Sequence, residues 1–399
     1  MKKNIFLNFI KNMISYAMPV AILQFIVQPL IAGKLGEEKN GLFLTVIALN
    51  YFITSITASI LLQTRLLQNE KYDKNKFVGD YNIILIVMAI FNSFAMAIGT
   101  YLYMGTDVSL IDIVLCVIMT LLFLLHDYIC VQYRVELNYS RILVSNIVLC
   151  IGYVIGIIVF LNFCSKWQLV FIIAYVLCEI YDLSVTTYIR EPLKLTPLFN
   201  NTLKRYFILA GASVISYLVS YGDRLILFPL TDGTTVSIFT AAEIMGKMLM
   251  LLSTPLSGFL LSYIVKEKEL KLNINLKYGV AIAAFLIVIY MLCVGISVPL
   301  LHILYPKWAS RSAVYVPLVT FTSLINLISH TLNVVVIRFC HSKWQIVINA
   351  TYLFVYLSLS YVLLYFYGLI GFCIGNIIAT ICKLLVIVIV GKNKKMKVQ

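Results

Sequence analysis

The chain has 399 residues, of which 61% are hydrophobic and only 12% charged; no water-soluble domain of that length hides so much apolar surface, so its solvent is a bilayer. The formal charge of +14 does not point to nucleic acid, because Lys and Arg are spread over short loops and form no single patch or stripe. The nine cysteines lie in or beside apolar runs without a CxxC pair, so neither a disulfide framework nor a zinc site is indicated, and no metal or other cofactor is expected.

A spanning helix needs about 20 apolar residues, each rising about 1.5 Å through a hydrocarbon core about 30 Å thick. Apolar runs between polar breaks give about twelve such spans, at roughly 12–33, 41–63, 80–103, 110–133, 142–163, 169–189, 206–230, 236–264, 277–299, 312–337, 345–366 and 369–391. The first follows Lys2 and Lys3 but is longer than a signal peptide and lacks a clear small-residue cleavage site, so it reads as an uncleaved span. With the N-terminus inside, only Lys34, Lys39, Lys166, Lys307 and Arg311 fall in loops on the far side. The many others, including Arg65, Lys71, Arg134, Arg141, Arg190, Lys266, Lys268, Lys271 and the tail lysines Lys394, Lys395 and Lys397, are cytoplasmic. Both termini are then cytoplasmic and the number of spans is even. The polar connection from Arg190 to Arg205 divides the chain into lobes of six helices, 1–199 and 200–399.

Span 1 carries Pro19 and Pro29, each of which removes a backbone donor and favours a bend, so it is the candidate hinge; Pro229, Pro255 and Pro317 elsewhere are compatible with ordinary helix shaping. Span 4 carries His126 and Asp127, and span 10 carries His330. By residue count these three lie in the inner half, where they could line a cytoplasmic entrance or act as packed hydrogen-bonding groups. On span 6, Glu179 and Asp182 sit at i,i+3 on one face without an obvious cation nearby. Such a pair suits a proton or sodium site that couples transport to a gradient, or one protonated acid bonded to a neighbouring helix.

The sharpest group lies on spans 7 and 8. Folding this hairpin about Gly233 brings Asp223 level with Glu243, about ten residues in and so near the bilayer midplane. Arg224 is adjacent to Asp223, and Glu243 and Lys247 are i,i+4 neighbours able to pair on one helix. Either these charges neutralise one another in a helix contact, or they line a wet cavity whose cations receive an anionic substrate. Lys383, deep in span 12, either pairs with an acid or joins that cavity.

No HExxH, GxSxG, P-loop, GxGxxG or Asp-x-Asp motif is found and every outside loop is short, so an enzyme is not expected. Lys34-Leu35-Gly36 with Gly41-Leu42-Phe43 is echoed by Thr231-Asp232-Gly233 with Ser237-Ile238-Phe239, a weak sign of a parallel internal repeat. These residues, with Gly222-Asp223-Arg224-Leu225 and Ala241-Ala242-Glu243, resemble the turn motifs of the bacterial polysaccharide-exporting flippases.

The resemblance implies the multidrug/oligosaccharidyl-lipid/polysaccharide exporter fold: an all-α membrane protein of about 12 helices in a V of two six-helix lobes, MATE-like, around a cavity that opens alternately to either side. Wzx-type members, serving O-antigen or capsule synthesis, move undecaprenyl-diphosphate-linked oligosaccharide repeat units from the cytoplasmic to the periplasmic leaflet of the inner membrane. The partners implied are membrane lipid, that lipid-linked oligosaccharide, H+ or Na+, and the glycosyltransferases and polymerase of the same pathway, with no nucleic acid. The family's cavity cations map onto Arg224 and Lys247; Ser237 stands where the family has Gly. A cation-coupled multidrug antiporter of the same superfamily would need a more acidic cavity, and Asp127, Glu179, Asp182, Asp223 and Glu243 keep that reading open. A membrane polymerase or ligase would be expected to carry a large outside loop.

Overall fold

The computed structural model describes residues 2–106, 108–251, 253, 256–257, 276–340 and 343–392. Pro255, Lys266, Lys268, Lys271, Lys394, Lys395 and Lys397 lie outside the described residues. Among those described, all regular structure is helical. Nine helices are long and apolar enough to cross a membrane, or ten if a bent pair at Gly233–Ala242 and Ile244–Leu251 is one span. The chain forms two compact units, 1–236 and 237–399.

In the first unit α1 runs over Lys2–Ile22, loosens into a π-helical turn at Leu23–Val27 and resumes over Gln28–Leu35. Gly36, at φ +80°, ends it, and Lys34 reaches the carbonyl oxygens of Phe160 and Leu161, at 2.5 and 3.2 Å. α2 spans Glu37–Thr54, a second π-helical turn at Ser55–Ser59, and Ile60–Asn75. It outruns its apolar stretch because 64–75 continues as a helix rich in charged and amide side chains. α3 (Asp80–Met104) lies between Gly79 and Gly105, both at positive φ. α4 (Leu110–Val135) is capped by Ser109, whose hydroxyl accepts from the Asp112 N–H. α5 (Tyr139–Asn162) and α6 (Gln168–Val185) form a tight antiparallel hairpin. Their backbones approach at Gly152 and Gly156, where an added Cβ would lie 2.5 Å from Ala174 Cα and 2.6 Å from Val170 O. α7 (Phe199–Leu230) packs on α2 within the same unit.

Gly233 opens α8, which is bent by 49° at Glu243 between Gly233–Ala242 and Ile244–Leu251. A Cβ on Gly41 would lie 1.8 Å from the Gly233 oxygen, and one on Gly233 would lie 2.1 Å from the Glu38 oxygen. The two turns that echo one another in sequence therefore press together backbone to backbone.

The second unit continues through α9 (Leu276–Leu304), a short helical turn at Ala309–Ala313, and α10 (Val316–Phe339). Lys343–Lys392 is helical apart from Gly368, at φ +58°. This glycine separates α11 (343–367) from α12 (369–392), and the two run antiparallel. Cβ atoms on Gly371 and Gly375 would lie 1.9 Å from Leu363 O and 2.8 Å from Ser360 Cα. Outward faces are apolar, as on α3 with Phe91, Phe94 and Leu102 at 57, 67 and 72% exposure, which suits a lipid surround.

Candidate functional site

Three parallel or hairpinned helices of the first unit converge on one buried polar cluster. The α5–α6 hairpin register places Ser145 opposite Cys178 and Asp182. α4 runs alongside α6, fixed at one end by Lys166 on Asp112 at 2.8 Å and at the other by Gln132, whose Oε1 accepts the backbone N–H groups of Thr187 and Tyr188 at 2.9 and 3.2 Å. Between these ends His126 faces α6. Its Nδ1 lies 3.2 Å from Asp182 Oδ2 and 3.8 Å from Glu179 Oε1.

Asp182, fully buried, also accepts hydrogen bonds from Ser145 Oγ at 3.0 Å and Tyr133 Oη at 2.9 Å. Glu179 is 4% exposed, yet neither of its carboxylate oxygens has a hydrogen-bond partner among the described residues. The cluster thus holds two carboxylates against one imidazole. With both carboxylates ionised and His126 protonated it would carry one net negative charge, which burial makes costly. The cation that the i,i+3 acid pair lacks in sequence is His126.

The remaining sequence-selected residues are dispersed. Asp127 is half-buried near Ser59 of the second π-helical turn. Around that turn Tyr51 stacks on Tyr221 at 5.9 Å and leans on Phe123 at 5.4 Å, and Phe123 stacks on Tyr175 at 4.0 Å. Tyr175 meets the His126 ring edge-on at 5.4 Å. A run of aromatic faces therefore joins α7 to the buried cluster.

Asp223 and Arg224 are half-buried on α7. In the second unit Glu243 and Lys247 pair at 3.0 Å, with Glu243 at the α8 bend. Lys383, only 7% exposed, sits with Nζ 4.9 Å from the Tyr352 ring centroid, a cation–π distance. His330 is exposed on α10. Pro19 and Pro29 flank the π-helical turn of α1.

No family model matches the chain, and no curated protein matches it in sequence. Solved structures do. The lipid II flippase MurJ in an inward closed conformation is 14% identical at a TM-score of 0.66, covering 96% of this chain and 85% of that one. An outward-facing multidrug resistance MATE family transporter of the MOP superfamily is 14% identical at 0.57, covering 96% and 93%. The Vibrio cholerae MATE transporter VcmN in its bent form is 17% identical at 0.51, covering 100% and 98%. The fold is that of MATE and MurJ.

Within this MATE-like fold, sequence reasoning passed over Cys178, Ser145 and Tyr133. Cys178 was within reach, being i−4 from Asp182 on the face already singled out. Ser145 and Tyr133 come from other helices and depend on register. It also passed over the burial of Arg65, which donates to Tyr128 Oη at 2.5 Å and to Glu191, and stacks over the Tyr188 ring at 3.7 Å. Asn82 Nδ2 fastens the same connection by donating to the carbonyls of Tyr188 and Glu191, both at 3.1 Å.

Proposed function

We propose that this protein is a flippase that carries undecaprenyl-diphosphate-linked oligosaccharide units from the cytoplasmic to the periplasmic leaflet of a bacterial inner membrane by alternating access. The observation that carries the reading is the set of basic side chains kept in mid-helix positions. Arg224 is half-buried on α7, and Lys247 keeps 29% of its side chain accessible while paired with Glu243. Neither is the cheapest residue to keep in a membrane helix, and a diphosphate repays that cost because a guanidinium and an ammonium match its oxygens. The polyprenyl tail stays in lipid throughout, so the protein displaces its substrate without making or breaking bonds. The fold, shared with a lipid II flippase and with multidrug transporters, is compatible with this job.

In this reading 1–199 and 200–399 are the moving lobes. Counting α7 and the two arms of 343–392 separately gives about twelve crossings. Arg224, Lys247, Asp223, Glu243 and Lys383 line the cavity, Pro19 and Pro29 with the π-helical turn between them form the hinge, and Asp127 and His330 lie toward the entrance. Glu179 and Asp182, with His126, take up the coupling H+ or Na+. That same acidic excess favours a second reading, a cation-coupled multidrug antiporter.

Replacing Arg224 and Lys247 together by Ala separates the two. Lipid-linked oligosaccharide should accumulate on the cytoplasmic leaflet of a strain depending on this protein, while tolerance to cationic drugs stays unchanged. Normal export by a properly inserted double variant would remove the site assignment, and a drug-sensitive strain with normal export would favour the antiporter.

A further inference from the structure

We propose that His126, Cys178 and Asp182, with Glu179 beside them, form a binding site for one thiophilic divalent metal ion of the zinc class. His126 Nδ1, Cys178 Sγ and Asp182 Oδ2 lie close to one another. Their separations are 3.2 Å between nitrogen and oxygen, 3.6 Å between sulfur and nitrogen, and 3.5 Å between sulfur and oxygen. A tetrahedral ion with bonds of about 2.0 Å to nitrogen and oxygen and about 2.3 Å to sulfur needs edges of about 3.3 Å for N–O and about 3.6 Å for the two that involve sulfur. The side chains already stand at those spacings.

The fourth corner would fall to a water, since Glu179, with its Oε1 3.8 Å from His126 Nδ1, stands beside the three donors and not among them. Glu179 is the independent sign of a missing ligand, since the side chain is buried and neither oxygen has a hydrogen-bond partner among the described residues. A bound dication, through a water in its open position, would give those oxygens a donor and hold the cluster's acids about a cation.

The donors around this set fit the outer shell of a metal site. Tyr133 and Ser145 hold the Asp182 carboxylate at 2.9 and 3.0 Å, and Cys130 Sγ lies 3.9 Å from His126 Nε2, the ring nitrogen left over when Nδ1 binds metal. Cys178 would surrender its thiol proton, which now goes to the Ser145 carbonyl at 3.3 Å. A thiolate and an imidazole select against sodium, magnesium and calcium, which take oxygen donors. The same atoms cannot hold a metal and the coupling ion at once, so occupancy would exclude H+ or Na+. The site itself needs no assumption about what the protein carries.

The test uses the full-length, tag-free protein in detergent, stripped with chelator and dialysed against Zn2+ or Co2+. About one equivalent should bind with release of protons, and Co2+ should show tetrahedral visible bands with a thiolate charge-transfer band. Cys178→Ser should abolish that band and weaken zinc binding by roughly tenfold or more, and Asp182→Asn should weaken it similarly with the band retained. Cys373→Ser, at a buried cysteine of the other unit, should change neither. Zinc should also raise the melting temperature of the wild type and of Cys373→Ser but not of Cys178→Ser, which keeps the result interpretable if that variant is less stable. No uptake by the wild type, a six-coordinate cobalt spectrum without the thiolate band, or binding that Cys178→Ser and Asp182→Asn leave unchanged would overturn the proposal.

Discussion

A guanidinium with 5% of its surface exposed needs an acid and flat partners, and Arg65 has both. Glu191 pairs with it, while the rings of Tyr188 and Tyr81 lie 3.7 and 4.9 Å from its centre. Removing one partner of such a pair leaves the other charge buried, at a cost of about 3–5 kcal/mol. Arg65→Ala should therefore lower the thermal stability of the detergent-solubilised protein and expose the 186–198 connection to limited proteolysis. Arg65→Lys should recover only part of this, because an ammonium keeps the charge but loses the fork and the stacking. A melting curve and cleavage pattern like wild type for Arg65→Ala would refute this account. Tyr188, outside the observed spans, titrates higher than an ordinary tyrosine because it is half-buried, so its phenol stays a neutral stacking surface across the physiological range.

At the scale of elements, the apolar runs were legible because hydrocarbon thickness dictates their length, and the observed helices follow them wherever the sequence is plainly apolar. Departures have local causes. α2 extends to Asn75 because helix-forming charged and amide residues continue it past the apolar run. α8 bends at Glu243, a break that hydropathy does not register.

Glu179 and Asp182 were recognisable from spacing alone, but their partners His126, Ser145 and Tyr133 are brought in by helix packing, which a linear pattern does not encode. Packing in turn rests on small residues. In the α11–α12 hairpin Gly371→Ala would put a methyl group 1.9 Å from a backbone oxygen, which no rotamer can relieve. Gly295→Ala on α9 meets nothing within 4 Å and should be neutral or slightly stabilising. Melting temperatures of the two variants should diverge, with Gly371→Ala destabilised by about 1–3 kcal/mol. Equal melting temperatures would mean that the hairpin is looser than described.

For the whole molecule, charge distribution and apolar surface give complementary information. The exposed ridges of α3, and of α9 with Phe285, Met291 and Leu292 at 64, 63 and 58%, face lipid, while Lys and Arg decide which end meets the cytoplasm. A fluorescent protein fused after Gln399 should fluoresce, and alkaline phosphatase at the same point should stay inactive. At the loop carrying Lys307 the two reporters should exchange behaviour. The reverse pattern would invert the orientation and with it the direction of transport. Fold class was accessible from composition and a few turn motifs. Substrate choice was not, because spacing along one chain does not say which mid-helix charges share a wet space.

The contact of Gly41 with Gly233 has a consequence for genetics. With a carbonyl oxygen 1.8 Å from a carbon added at Gly41 and 2.1 Å from one added at Gly233, both positions should reject every other amino acid in a saturation screen and so score like ligand-binding residues, though neither offers a side chain to a ligand. Compensating changes in neighbouring side chains could not rescue them, because the obstacle is main chain on main chain. Intolerance without suppressors would mark this contact as architecture.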